Sequence, residues 1–257
     1  MKITALTENT SENDLECEHG LSLFIETERH TVLFDMGQSE LFAVNAEKLG
    51  LDLKKVDIAV LSHGHYDHGG GIRRFLEIND HAPVYMNPYA FEPHYNGTEK
   101  YIGLDPALEN CERIIYTEDG MKISEGLTVY FCNDRKKSAD LGSFGLNMVK
   151  DGRLLPDDFR HEQYLLAEEN GKRILFSGCS HKGILNIEDW FRPDVLIGGF
   201  HFSKLPADDT LAGYARKLDF YETAYYTCHC TGEPQYAFMK KNMRNLHYIS
   251  TGEILEI

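Results

Sequence analysis

Apolar residues run along this chain in two rhythms. Stretches with a two-residue beat, Leu21 to Glu26 and Thr31 to Asp35, predict two strands joined by a polar turn around Glu28 and Arg29. Val56-Asp57-Ile58-Ala59-Val60-Leu61 is denser in apolar residues and predicts a buried strand. Gly69-Gly70-Gly71 then opens a helix, because Ile72, Phe75 and Leu76 keep helical spacing. The second half repeats the rhythm, with strands expected at Leu127 to Phe131, Tyr164 to Ala167, Ile174 to Ser177 and Val195 to Ile197. A helix follows on Leu211, Tyr214, Ala215 and Leu218, then a strand at Ala224 to Thr227 and a helix over Gln235 to Met243. Residues 87 to 110 break the pattern. Asn87-Pro88-Tyr89, Glu92-Pro93-His94-Tyr95-Asn96-Gly97 and Tyr101 read as an aromatic, turn-rich segment, longer than an ordinary connection. Segments of that kind are binding loops, lids or packed surface excursions.

Strands followed by helices, twice over, predict two sheets packed face to face with helices outside. No low-complexity tract, linker or fixed-period repeat interrupts them, so residues 1–257 are expected to form one α/β domain. Hydrophobic residues make up 42% and charged residues 26%, ordinary for a globular chain that can bury a sizeable core.

Charge narrows the partners. A net charge of -15 argues against holding nucleic acid, which needs clustered Lys and Arg. A small anionic substrate stays open, because bound metal supplies local positive charge. The N-terminal stretch Met1-Lys2-Ile3-Thr4 leads into Glu8, Glu12, Asp14 and Glu16, without a basic-then-apolar signal. No apolar run approaches the ~18 residues of a membrane span. A cytoplasmic location with no membrane contact is therefore expected. The six cysteines, Cys17, Cys111, Cys132, Cys179, Cys228 and Cys230, are expected as free thiols, with Cys111 and Cys132 in the core.

The chemistry concentrates in Ser62-His63-Gly64-His65-Tyr66-Asp67-His68-Gly69, directly after the buried strand. Three imidazoles and a carboxylate at this density suit zinc, iron, copper or nickel. His63 and His65 project the same way from an extended backbone. Asp67 and His68 fall where the chain turns, toward a second ion. A solvated, accidentally His-rich loop is the bland alternative.

His-x-His-x-Asp-His after a buried strand resembles the metallo-β-lactamase superfamily, with matching features along nearly the whole chain. The resemblance implies an αββα sandwich, two mixed sheets flanked by helices, with metal at one edge. It further implies that His161, before the hairpin of Tyr164 to Ala167 and Ile174 to Ser177, completes the first ion's set with His63 and His65. His229, after the strand at Ala224 to Thr227, would join Asp67 and His68 at the second ion. Asp35 would orient the His-rich loop by hydrogen bonds. Two divalent ions are expected, zinc first, with iron or manganese as alternatives.

One position departs from the superfamily. Gly178-Cys179-Ser180-His181 places Cys179 where a bridging Asp normally follows the Gly. A thiolate favours zinc or iron over magnesium. Cys179 would bridge two ions, bind one, belong to a mononuclear site, or serve as a small buried hydrophobe. Asp67, His181 and His201 are the catalytic candidates. Both histidines follow predicted strands and suit a general acid or an anion contact.

Gly178-Cys179-Ser180-His181-Lys182-Gly183-Ile184, Gly198-Gly199-Phe200-His201 and Cys228-His229-Cys230-Thr231-Gly232 together resemble one subgroup. Its members are described as 7,8-dihydropterin-6-yl-methyl-4-(β-D-ribofuranosyl)aminobenzene-5'-phosphate synthases. That resemblance implies condensation of a dihydropterin diphosphate with a ribofuranosylaminobenzene phosphate. A metal-dependent hydrolase of a phosphoester, thioester or lactone is the second reading. A non-catalytic metal or redox sensor using Cys179, Cys228 and Cys230 is the third.

Overall fold

The computed structural model describes residues 1–257. Two seven-stranded sheets pack face to face. In the first the order is Ile254–Glu256, Lys2–Thr7, Ser22–Glu26, Thr31–Phe34, Ile58–Val60, Val84–Met86, Ile114–Tyr116. In the second it is Leu246–Tyr248, Ala224–Thr227, Val195–Ile197, Lys172–Phe176, Tyr164–Glu169, Leu127–Tyr130, Met121–Ser124. Both sheets are mixed, with antiparallel and parallel pairings in each. The αββα sandwich expected from the sequence is the fold observed.

The two-residue beat explains the layering, because alternate strand residues face opposite sides of a sheet. Leu23, Ile25, Val32 and Phe34 of the first sheet meet Leu165, Ile174, Phe176 and Ile197 of the second in one central core. Phe34 and Phe176 stand 5.6 Å apart between ring centroids. Burying such a side chain fully contributes about 1.5–3 kcal/mol. The intervening residues face outward under the helices. Phe24, Leu33 and Ala59 pack with Phe42 and Phe75 on one side. Leu166, Leu175 and Leu196 pack with Ile187 and Leu211 on the other. The helix at Asp209–Asp219 starts where Asp208 accepts the Thr210 amide at 2.9 Å, an N-cap. No helix is long and apolar enough to cross a membrane.

Two expectations need correction. Residues 87–110 are not irregular throughout: His94–Asn96 and Lys100–Tyr101 join Leu146–Lys150 and Arg153–Pro156 in a third, four-stranded sheet. His94–Asn96 takes its second partner, Leu146–Lys150, from about fifty residues away, and Lys100–Tyr101 pairs only with His94–Asn96, so local sequence carries little sign of them. The last helix spans Glu233–Met239, starting earlier because Pro234 occupies its first turn.

The parallel strands decide where chemistry collects. Asp35 follows Thr31–Phe34, His63 follows Ile58–Val60, and Cys179 follows Lys172–Phe176. His201 follows Val195–Ile197 and His229 follows Ala224–Thr227. Residues past the carboxyl ends of parallel strands meet at one sheet edge, where α/β folds place their sites.

Candidate metal centre

Asp35 organises the His-rich loop. It has a positive φ of 59° and is fully buried. Its carboxylate accepts the Ser62 amide at 2.7 Å, the Ser62 hydroxyl at 2.8 Å and His68 Nδ1 at 2.7 Å. A carboxylate only accepts, so the His68 proton sits on Nδ1 and the Nε2 carries a lone pair. Ser62 spends its one hydroxyl proton on Asp35. The contact at 2.8 Å between Ser62 Oγ and His63 Nδ1 is therefore donated by the imidazole, and His63 Nε2 is also a lone pair.

His229 reaches the same state from elsewhere in the chain. Its Nδ1 lies 2.7 Å from Asn9 Oδ1. The Gly20 amide donates to that same oxygen at 3.2 Å, which fixes the amide orientation. The proton on His229 is thus on Nδ1, and Glu8 accepts the His229 backbone N–H.

Electron pairs then converge. His229 Nε2 lies 3.2 Å from His68 Nε2 and 3.3 Å from Asp67 Oδ2, and His68 Nε2 lies 3.2 Å from Cys179 Sγ. Tetrahedral zinc at its usual bond lengths separates nitrogen and sulfur ligands by about 3.3–3.6 Å. A single proton relieves one such pair; a divalent cation relieves the whole group. The residues present fit a metal.

The remaining candidates divide into groups, in each of which one donor atom per residue lies within 4.8 Å of the others. Cys179 belongs to three of them: with His63 and His181, with His68 and His229, and with His201 and Cys230. Asp67 groups with His229 and with His19, a residue without any marked context in the sequence. His65 and His161, expected beside His63, gather with His94 and Asp157. The sequence reading gave no site role to His94, Asp157, Asn9 or Ser62. Each acquires its meaning from a distant partner, and no spacing pattern marks any of them.

A sequence profile described as the metallo-β-lactamase superfamily matches residues 15–217. The chain belongs to the metallo-β-lactamase superfamily. Among its relatives is the uncharacterized protein MJ0448 of Methanocaldococcus jannaschii, 28% identical, covering 99% of this chain and all of that one. The 7,8-dihydropterin-6-methyl-4-(beta-D-ribofuranosyl)-aminobenzene-5'-phosphate synthase of the same organism is 26% identical, over 93% of this chain and 90% of its own length. The crystal structure of Tm1679, described as a metal-dependent hydrolase of the β-lactamase superfamily, superposes with a TM-score of 0.84. It is 28% identical and covers 100% of this chain and 99% of its own.

Superfamily members typically bind divalent metals, and the electrostatics of this centre suit them. Burial holds His63 and His65 well below the usual imidazole range, helped for His63 by His68 and for His65 by His161 and His94. Burial also disfavours charge on His68, but Asp35 outweighs it and raises that group. Burial opposes ionisation of Asp67, yet the neighbouring His19, His229 and His68 hold its carboxyl well below the usual carboxylate range. Burial and Cys230 push the Cys179 thiol up. A bound metal would deprotonate it outright.

A cavity of about 360 Å³ opens onto these groups. Asp67, Cys179, His181, His201 and His229 line it, together with Tyr66, Tyr248, Lys100 and Lys204. Cys228 points instead into the core between the sheets.

Proposed function

We propose that the protein is a metal-dependent enzyme acting on a small phosphorylated substrate, breaking the bond to a phosphate or diphosphate leaving group. The convergence of unprotonated Nε2 atoms from His68 and His229 with Asp67 and Cys179, beside a cavity that Asp67, Cys179 and His229 line, carries this reading.

Two divalent ions, zinc first, would be held on this wall. Asp67, His68, His229 and Cys179 face one, and His63 with Cys179 faces the other; His65 and His161 stand on the same wall. Bound metal would polarise the phosphoryl oxygens and stabilise the departing phosphate. The chain's own residues do the rest. Asp67, ionised and at the cavity surface, accepts a hydrogen bond from the attacking nucleophile. His201, half-buried and lining the cavity, stands where it can give or take a proton at the leaving oxygen. Lys100 and Lys204 place two cations beside the cavity of an otherwise acidic chain, which favours an anionic ligand. Tyr66 and Tyr248 offer flat apolar faces, which suit a pterin-like ring.

The relative named as a synthase supports diphosphate release on condensation, and the structure described as a hydrolase supports attack by water. One assay separates them. The zinc-loaded protein is incubated with a dihydropterin-methyl diphosphate, with and without ribofuranosylaminobenzene phosphate, and with simple phosphoesters. Diphosphate release that needs both partners identifies the synthase. Release with water alone identifies the hydrolase. A fully metallated protein that turns over none of them would overturn the phosphorylated-substrate reading.

A further inference from the structure

We propose that Cys179 and Cys230 are a redox modification site. A hydroperoxide entering the cavity links them as a disulfide while the centre holds no metal, and the link then keeps metal out. The second half rests on the reading that Cys179 is a metal ligand; the first half does not.

Three neighbouring strands deliver the pair. Cys179 follows Lys172–Phe176 and Cys230 follows Ala224–Thr227, with Val195–Ile197 between them in the sheet. The loop after that middle strand is tied to both sides. The Gly199 amide donates to the Gly178 carbonyl at 2.6 Å, and the Phe200 amide to Thr231 Oγ1 at 2.8 Å. The His201 amide donates to Cys230 Sγ at 3.2 Å and the Ser203 amide to the Cys230 carbonyl at 3.0 Å. A Cβ at Gly199 would lie 2.4 Å from Cys230 Sγ, so glycine there makes room for the sulfur. Cys230 Sγ in turn donates to the Cys179 carbonyl at 3.4 Å, which lays it against the Cys179 main chain. The two sulfurs and one His201 nitrogen lie within 4.8 Å of one another. A disulfide needs about 2 Å between sulfurs, and rotation of the two side chains is the movement that closes the gap.

Access singles out the same pair. Cys179 and Cys230 both line the cavity. Cys132 and Cys228 are buried in two separate cores and do not. Cys17 and Cys111 are less buried but stand in no group of converging donor atoms. Cys228 therefore drops out of the three-cysteine sensor considered from the sequence.

The chemistry balances with a hydroperoxide as oxidant. Cys230, 7% exposed against 3% for Cys179, attacks one peroxide oxygen. The O–O bond breaks, water or an alcohol leaves, and a sulfenic acid forms on Cys230. The Cys179 sulfur then attacks that sulfur; the S–S bond forms, the S–O bond breaks and water leaves. The two thiols together lose two electrons and two protons, which the peroxide takes up. Metal on Cys179 would occupy the sulfur that the second step needs. The disulfide in turn withdraws the one sulfur that both ions would share.

The test maps thiols on folded protein. Chelator-stripped and zinc-loaded wild type, with stripped Cys230→Ser and Cys228→Ser, are treated with hydrogen peroxide, blocked with iodoacetamide and digested. Non-reducing peptide mass spectrometry finds the links, elemental mass spectrometry measures zinc uptake after oxidation, and circular dichroism checks folding. Stripped wild type and Cys228→Ser should yield the Cys179–Cys230 peptide pair and lose zinc uptake, and dithiothreitol should restore both thiols and the uptake. Cys230→Ser should yield no linked Cys179 peptide. Zinc-loaded wild type should stay unlinked. Folded, stripped wild type in which Cys179 and Cys230 remain unlinked, or in which either pairs with Cys228, overturns the proposal. Linkage that proceeds equally with zinc bound overturns the coupling to metal, and with it the reading of Cys179 as a ligand, while the modification site stands. Should Cys230→Ser misfold, the wild-type peptide map decides alone.

Discussion

Two buried carboxylates each stand beside a pair of imidazoles, and the two pairs differ in one member. Asp35 takes the Nδ1 proton of His68 and, through Ser62, sets that of His63, so both Nε2 atoms face the centre as lone pairs. Asp157 takes the Nδ1 proton of His94 but faces the Nε2 of His161, whose Nδ1 is occupied by Gly64. The residue types match; the outcomes differ. His94, like His68, has its Nδ1 proton on a carboxylate, whereas His161 has its Nδ1 lone pair taken by an amide; the Nε2 atoms of both His94 and His161 are buried without a hydrogen-bond partner.

The largest effect should come from Asp35→Asn. An amide N–H directed at His68 Nδ1 would reverse the tautomer and put hydrogen on Nε2, and His63 would lose its relay through Ser62. Affinity for metal is expected to fall by about 10–100-fold or more. Titration against a chelator of known affinity measures this, and wild-type affinity in the variant would break the tautomer argument.

Asp157→Asn should do less, and to a different property. It removes the charge that holds His94 and His161, so stability should fall by about 1–3 kcal/mol, the range for disturbing a buried hydrogen-bonded group. Metal content should stay at the wild-type value. Loss of an ion in a folded Asp157→Asn protein would move this cluster into the metal centre and erase the contrast with Asp35.

Glu188 sharpens the comparison with the smallest effect. It is another buried carboxylate, but its hydrogen-bond partner is the Thr223 hydroxyl at 2.8 Å, with no imidazole beside it. Burial pushes its pKa from 4.5 up to about 7, only partly offset by Thr223 and Tyr225. The folded state therefore binds the proton more tightly than the unfolded chain. Stability is fully present below pH 4.5 and declines as pH rises toward about 7, by at most about 1.4 kcal/mol per unit. Glu188→Gln should flatten this slope and melt above wild type at pH 8. Parallel melting curves across that range would show the idea to be wrong.

Much of the fold was legible because its signal is local. Leu23, Phe24 and Ile25 alternate between two cores, and the beat that predicts a strand also predicts its two faces. The strands at His94–Asn96 and Lys100–Tyr101 were not legible, since a three- and a two-residue strand exist through pairing alone. In the site, the run from His63 to His68 announced itself by density. His161, Cys179 and His229 were reachable only through resemblance, and His94 and Asp157 through neither.

The sequence by itself determined the sandwich, the edge where the site lies and the presence of soft and imidazole donors there, because periodicity and motif density are properties of consecutive residues. Tertiary structure decided which nitrogen each imidazole offers. The groups that make that choice sit 33 residues from His68, 97 from His161 and 220 from His229. A proton is assigned by the acceptor or donor that the fold brings within 3 Å, and no local pattern encodes that neighbour.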